Sequence, residues 1–194
     1  MKAEILRLEQ IPEASALANE VITTSLRMSM MPNMVPMVYG YVTTENLTQM
    51  VTSGRLVLFG IYEYGCLAAV GGLQTEGHIS ILYVKLPFMR RGCGRTLLLE
   101  MERYAALHLG RKTITLNALP VWTKSYFTGL GYKDLDPYQP IGAPFAPMSK
   151  TIEDADMLFE RKPFRARNLL ITLAATAGAV LVAGLIFSLK FYLG

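Results

Sequence analysis

Apolar residues at Ile11, Ala14, Leu17, Ala18, Val21, Ile22 and Leu26 recur three and four positions apart, which predicts one helical face over 11–27. Pro12 falls in the first turn, where a helix tolerates the missing N–H. Upstream, Ala3, Ile5 and Leu6 stand among charges and predict a short first strand over 3–8. Downstream, Met28, Met30, Met31, Met34 and Met37 stand among prolines and a glycine, so 28–41 reads as an apolar loop with a helical turn. Residues 44–51 read as a short helix, with Thr43 or Thr44 as N-cap, Glu45 in the first turn and Gly54 just past the end. The period then changes. Apolar runs at 56–63 and 66–73 are separated by Tyr64 and Gly65, the spacing of a tight hairpin, and a turn at Glu76 and Gly77 leads to a third run at 78–86. A helix follows over 96–109, with Leu97, Leu98, Met101, Tyr104, Ala105 and His108 on one face and Gly110 as its stop. Then come a strand at 113–119, a short helix at 121–130, a strand beginning at Gly131 and Tyr132, and a last strand at 145–152. No repeat is visible. The order predicts a mixed α/β (α+β) domain built on one central, largely antiparallel sheet flanked by helices.

Residues 169–189 form a different kind of segment, twenty-one positions without a charge, in which only Thr172, Thr176 and Ser188 carry polar side chains. At about 1.5 Å per residue a helix of that length spans roughly 30 Å, the thickness of a bilayer's hydrocarbon core. A transmembrane helix is expected there, with 1–152 as the folded domain, 153–168 as a linker and basic juxtamembrane segment, and 190–194 as a short tail. Arg161, Lys162, Arg165 and Arg167 precede the span and only Lys190 follows it, so the domain is expected on the cytosolic side. The first ten residues contain four charges and no apolar run, which predicts no signal peptide, and two cysteines are too few for a disulfide framework. The net charge of +4 gathers partly in the juxtamembrane cluster, favouring anionic headgroups over nucleic acid, for which no basic stripe with interleaved aromatics is present. Ala174 with Gly178 and Ala179 with Ala183 are small pairs four apart, compatible with a homodimer through the span.

Candidate chemistry lies after the third meander strand. Arg90, Arg91, Gly92, Cys93, Gly94, Arg95 and Thr96 carry the chain from strand into helix, and such a turn turns unpaired N–H groups and the positive end of a helix dipole toward one point. Glycine allows close approach and the arginines add charge-assisted bonds, so a phosphate or pyrophosphate is the natural guest. A Walker loop is excluded because Arg95 and Thr96 follow Gly94, and the dinucleotide fingerprint fails at Leu97. No His/Cys cluster has metal-ligand spacing.

Leu82-Tyr83-Val84 followed by Arg90-Arg91-Gly92-Cys93-Gly94-Arg95-Thr96-Leu97-Leu98 resembles the acyl-CoA-binding motif of the GNAT superfamily of N-acyltransferases, Gln/Arg-x-x-Gly-x-Gly/Ala. Asn117-Ala118, the run from Tyr126 to Tyr132 and Met148-Ser149-Lys150 match later family features in order, and the resemblance covers about residues 3–152. It implies a sheet splayed between its fourth and fifth strands with acetyl-CoA as co-substrate in the gap. The pantetheine arm would pair with the backbone of Leu82, Tyr83 and Val84, and the pyrophosphate would sit on the amides from Arg90 to Thr96. An amine acceptor would attack the thioester directly, near the 28–41 loop, whose methionines either fill the core beside the sheet or, facing outward, favour a hydrophobic or membrane-associated amine.

The sequence departs from the family in three places, one of them the usual proline, which is displaced by one to Pro87. Met89 takes the first motif position. The thiolate acid, a tyrosine four residues before the Gly-Phe pair, falls on Phe127, so either the aromatic pair is transposed or the helix register differs by one; Tyr126 is the phenol on hand. Glu76 and His78 are candidates for the base, against the plainer reading of a turn glutamate and an exposed histidine. Cys93 takes the variable small slot of the loop, and His108 and Trp122 are assigned to packing. A non-catalytic CoA-binding or scaffold protein of the same fold is the competing function.

Overall fold

The computed structural model describes residues 1–27, 30–135 and 145–152. The linker, the apolar run 169–189 and the tail lie outside them; among the described residues no helix is long and apolar enough to cross a membrane. The elements in order are β1 (Glu4–Ile5), α1 (Ile11–Val21), α2 (Val35–Tyr41), α3 (Thr44–Thr52), β2 (Leu56–Glu63), β3 (Cys66–Gln74), β4 (His78–Val84), α4 (Cys93–Leu109), β5 (Thr113–Ala118), α5 (Lys124–Thr128), β6 (Lys133–Asp134) and β7 (Ala146–Thr151). The strands form one seven-stranded sheet in the order β1-β2-β3-β4-β5-β7-β6. Every neighbouring pair is antiparallel except β4 and β5.

Local chemistry explains most boundaries. Tyr64 and Gly65 both have positive φ, 53° and 78°, as the two-residue turn joining β2 to β3 requires. Thr43 caps α3 by accepting a bond from the Asn46 N–H at 3.2 Å. The first helix is shorter than its periodicity predicts. It ends at Val21 and passes into a wide π turn over Ile22–Leu26. There Thr23 and Thr24 donate their hydroxyls to the Asn19 and Glu20 carbonyls at 2.7 and 2.8 Å, a competition that loosens the regular ladder. The first strand is reduced to two residues, the 28–41 loop contains a seven-residue helix, and α4 starts at Cys93, three residues before the start its sequence pattern predicts. The 121–130 helix is split into a 3-10 turn and α5, and Gly131, at φ +91°, belongs to the turn before β6.

The central strands are covered on both faces. Leu58, Val70 and Ile81 join Leu17, Ala18 and Val21 of α1 and Leu47 and Met50 of α3 in one buried cluster. On the opposite face Phe59 meets Tyr104 of α4 edge-on, with ring centroids 5.5 Å apart. A methyl on Gly71 would stand 3.0 Å from Met101 Cε, so the missing side chain there is what lets α4 lie close on β3.

One charged residue sits inside the apolar face of α4. Glu102 is 1% exposed, accepts the Tyr132 hydroxyl at 2.9 Å and the Lys150 ammonium at 2.7 Å. Burial first, and the Glu102 carboxylate second, raise the Tyr132 pKa far above the ordinary phenol value. Removing the carboxylate strands a buried hydroxyl and a half-covered ammonium, so Glu102→Ala is expected to cost about 3 kcal/mol in denaturant unfolding, with a smaller loss for Glu102→Gln. Because the Tyr132 pKa is raised on folding, its contribution is complete below pH ~10 and fades as pH rises toward the folded value.

Candidate active site

The parallel pairing of β4 with β5 consists of two rungs, His78 opposite Thr115 and Ile79 opposite Leu116. Beyond Ile79 the strands part. On the other edge of β4, Ile79 lies opposite Leu73 but Ile81 lies opposite Gly72, leaving Ser80 as an extra residue, and β5 itself ends at Ala118, two residues past its last rung with β4. Such a bulge bends and overtwists its strand. The edge of β4 from Ser80 to Val84 therefore faces a wedge-shaped cleft, not a partner strand.

The open end of the cleft meets the turn into α4. Arg90 has φ +60° and Gly92 φ +91°, and this double left-handed turn curls the chain into the first turn of α4. For arginine that conformation costs about 1 kcal/mol. The N–H groups of Cys93, Gly94 and Arg95 belong to the first helical turn and are not used by the helix ladder, whereas the Thr96 N–H bonds the Gly92 carbonyl at 2.9 Å. The anion cradle predicted over residues 90–96 is thus shorter by its last amide. The side chains of Arg90, Arg91 and Arg95 are exposed. Met89 is exposed as well and brings no polar group to the first motif position. Cys93 turns inward. Its thiol is 1% exposed, donates to the Phe88 carbonyl at 3.5 Å, and is pushed up in pKa by burial, so that only its amide is available to an anion.

The aromatic pair is settled by packing. Phe127 is buried against Tyr132, with ring centroids 6.0 Å apart, while Tyr126 is 43% exposed. A methyl on Gly94 would stand 3.0 Å from the Tyr126 hydroxyl and 3.7 Å from Val84 Cγ2, so the phenol, the end of β4 and the start of α4 converge on one point. Burial raises the Tyr126 pKa and nearby Arg95 partly offsets this, which keeps the phenol protonated and able to donate. Arg95 also lines a shallow cleft with Leu98, Leu99, Glu102, Gly129, Leu130 and Lys150. That cleft offers a buried carboxylate in place of free amides and suits an anion less well.

Glu76 and His78 lie at the closed end, about 20 Å along β4 from Val84. Glu76 is exposed, and His78 is half-buried with Nδ1 2.9 Å from the Thr115 hydroxyl. Burial lowers the His78 pKa and Glu76 opposes the shift, so the imidazole is neutral at neutral pH. Asn117 follows the last rung of β5 with its side chain exposed. Trp122, assigned to packing on the sequence, is 67% exposed, since its 3-10 turn leaves the sheet edge after Pro120. His108 is exposed too and stacks on Tyr104 at 4.6 Å. One group escaped the sequence reading altogether. Gln74 Nε2 donates to the Tyr41 hydroxyl at 2.9 Å, and Tyr41 donates to Ser80 Oγ at 2.8 Å, beside the bulge. No local pattern could have shown it, because its members lie 33 and 39 residues apart.

A sheet parted at its fourth and fifth strands over a glycine-bearing helix start defines an acyltransferase that holds a CoA thioester. The sequence model of the acetyltransferase (GNAT) domain matches residues 29–152, and the chain belongs to that family of acetyl-CoA-dependent enzymes. Among curated proteins no relative matches. Solved structures share the fold. The PaiA N-acetyltransferase of Thermoplasma acidophilum, in complex with coenzyme A, is 18% identical with a TM-score of 0.64, over 78% of this chain and 100% of its own. YncA of Salmonella typhimurium, with its cofactor acetyl-CoA, is 13% identical with a TM-score of 0.60, over 79% and 95%. The ribosomal-protein-alanine N-acetyltransferase of Brucella melitensis is 14% identical with a TM-score of 0.59, over 78% and 100%.

The environment of His78 has a measurable consequence. Its imidazole protons, followed by NMR, should titrate with a midpoint below 6.5, and Glu76→Gln should move that midpoint lower still by removing the charge that favours the imidazolium. A midpoint at or above 6.5 would place His78 in open solvent or beside an unseen anion.

Proposed function

We propose that the chain is a membrane-anchored N-acetyltransferase that passes the acetyl group of acetyl-CoA to an amine by direct attack. The observation that carries this reading is the cleft that opens after Ile79 and ends on the free amides of α4. The pantetheine arm pairs with the open edge of Leu82, Tyr83 and Val84, and the pyrophosphate rests on the amides of Cys93, Gly94 and Arg95 with the three arginines around it. The amine nitrogen attacks the carbonyl carbon, the C–S bond breaks, the amine's proton goes to His78 directly or through water, and the departing thiolate takes its proton from Tyr126 through water, since the phenol stands at the α4 start. Glu76 tunes His78. The acceptor side is formed by the segment before α3, where Met31 and Met37 are exposed while Met30 is buried in the core and Val35, Val38 and Tyr39 pack against it. Those two exposed methionines favour an apolar amine. Residues 169–189 anchor the domain on the cytosolic face of a bilayer; support for this comes from their lack of charge and the basic flank before them.

Acetyl-CoA should raise the melting temperature of the protein, and Gly94→Glu should abolish the shift by placing a carboxylate against the pyrophosphate. With a panel of amines, free CoA should accumulate, Tyr126→Phe should lower kcat more than acetyl-CoA affinity, and Met31→Gln with Met37→Gln should raise KM for the apolar amines alone. A thermal shift without CoA release from any amine would make the chain a CoA-binding scaffold. No shift at millimolar acetyl-CoA would remove the function altogether.

The anchor is tested separately. Protease added to sealed inside-out vesicles should digest the domain, and extraction at alkaline pH should leave the chain in the membrane. Protection of the domain would reverse the topology, and release by alkali would remove the span.

A further inference from the structure

The bulged Ser80 sits where β4 leaves β5, and its hydroxyl ends a chain of hydrogen bonds that no step above uses. Gln74 Nε2 donates to Tyr41 Oη, and Tyr41 donates to Ser80 Oγ. Ser80 thus spends one lone pair and keeps its own O–H proton, for which no acceptor is present among the described residues. Each donor in the row polarises the next, so the terminal hydroxyl is a stronger donor than an isolated serine. Tyr41 closes α2 and packs its ring against the core cluster, which fixes the chain on the side of the sheet covered by α1 and α2.

The position of this donor is informative. A pantetheine arm laid along Val84, Tyr83 and Leu82 points its acyl end at Ser80, because the rung of Ile79 with Leu116 closes the gap immediately beyond. We propose that Ser80 is a catalytic hydrogen-bond donor to the thioester carbonyl, with Tyr41 and Gln74 as the positioning residues that aim and polarise it. As the amine's N–C bond forms, the carbonyl oxygen gains negative charge and the Ser80 O–H bond to it shortens. When the C–S bond breaks, the charge leaves with the sulfur, and the serine keeps its proton throughout. The inference rests on the acetyltransferase reading above.

Its test needs no acceptor. Full-length protein in detergent is loaded with acetyl-CoA carrying ¹³C at the acetyl carbonyl, and the C=O stretch is read by isotope-edited infrared difference spectroscopy. The stretch should lie at lower frequency in the wild type than in Ser80→Ala, at an intermediate value in Tyr41→Phe, and back near the wild-type value in Ser80→Thr. With the amine that releases most CoA, Ser80→Ala should lower kcat by about tenfold or more while KM for acetyl-CoA stays unchanged. Identical carbonyl frequencies in wild type, Ser80→Ala and Tyr41→Phe, with acetyl-CoA bound in all three, would overturn the inference and leave the acetyltransferase reading intact. A wild type that binds no acetyl-CoA would overturn both.

Discussion

Everything this domain can do depends on how little holds β4 to β5. Two parallel rungs join a four-stranded half, β1 to β4, to a three-stranded half, β5 to β7. Continuous pairing would have given a closed sheet with no room for a ligand. The extra residue at Ser80 and the early end of β5 at Ala118 both work against it, because a bulge twists its strand away from the neighbour and a short neighbour leaves the backbone beyond it without a partner. A strand edge left open inside a sheet is normally a liability, yet here its unpaired groups are what an extended amide-containing arm can satisfy. The same parting aligns the end of β4 with the start of α4, so the free edge and the free helical amides form one continuous surface.

Charge around that surface is arranged by backbone conformation as much as by residue type. Arg90 adopts a left-handed conformation that arginine avoids, and a non-glycine residue held there is a conformational cost retained at a functional turn. Cys93 shows the reverse case. A thiol at a helix start is ordinarily acidified, but this one points into the core, where burial dominates and raises its pKa. The turn thus offers an anion backbone amides and guanidinium groups, and the Cys93 side chain takes no part.

Much of this was legible in the chain. The Tyr64-Gly65 hairpin, the glycines around Cys93 and the helical face from Leu97 to Ala105 are local patterns, set by backbone sterics and by periods of two and 3.6 residues. What escaped was decided by distant partners. The bulge at Ser80 leaves no mark on the apolar alternation, and Tyr41, Gln74 and Ser80 look like unrelated polar residues until the fold joins them. The Tyr126-Phe127 ambiguity had the same origin, since which ring turns inward depends on Tyr132 and the α4 start, not on the pair itself. The methionine-rich segment divided for that reason too, with Met30 in the core and Met37 64% exposed. The end of α1 falls short of the apolar spacing because the threonine hydroxyls compete with the helix in a way hydrophobic spacing does not record.

The bonds that Glu102 makes with Tyr132 and Lys150 join a helix seated on one half of the sheet to residues of the other half. With only two rungs as a hinge, that clasp sets the aperture of the cleft before any ligand arrives. A binding site with a fixed aperture loses little configurational entropy when it is filled, so more of the contact energy appears as affinity. Loosening the clasp would therefore be felt twice, once in the folding equilibrium and again as a cofactor that must organise its own site on arrival.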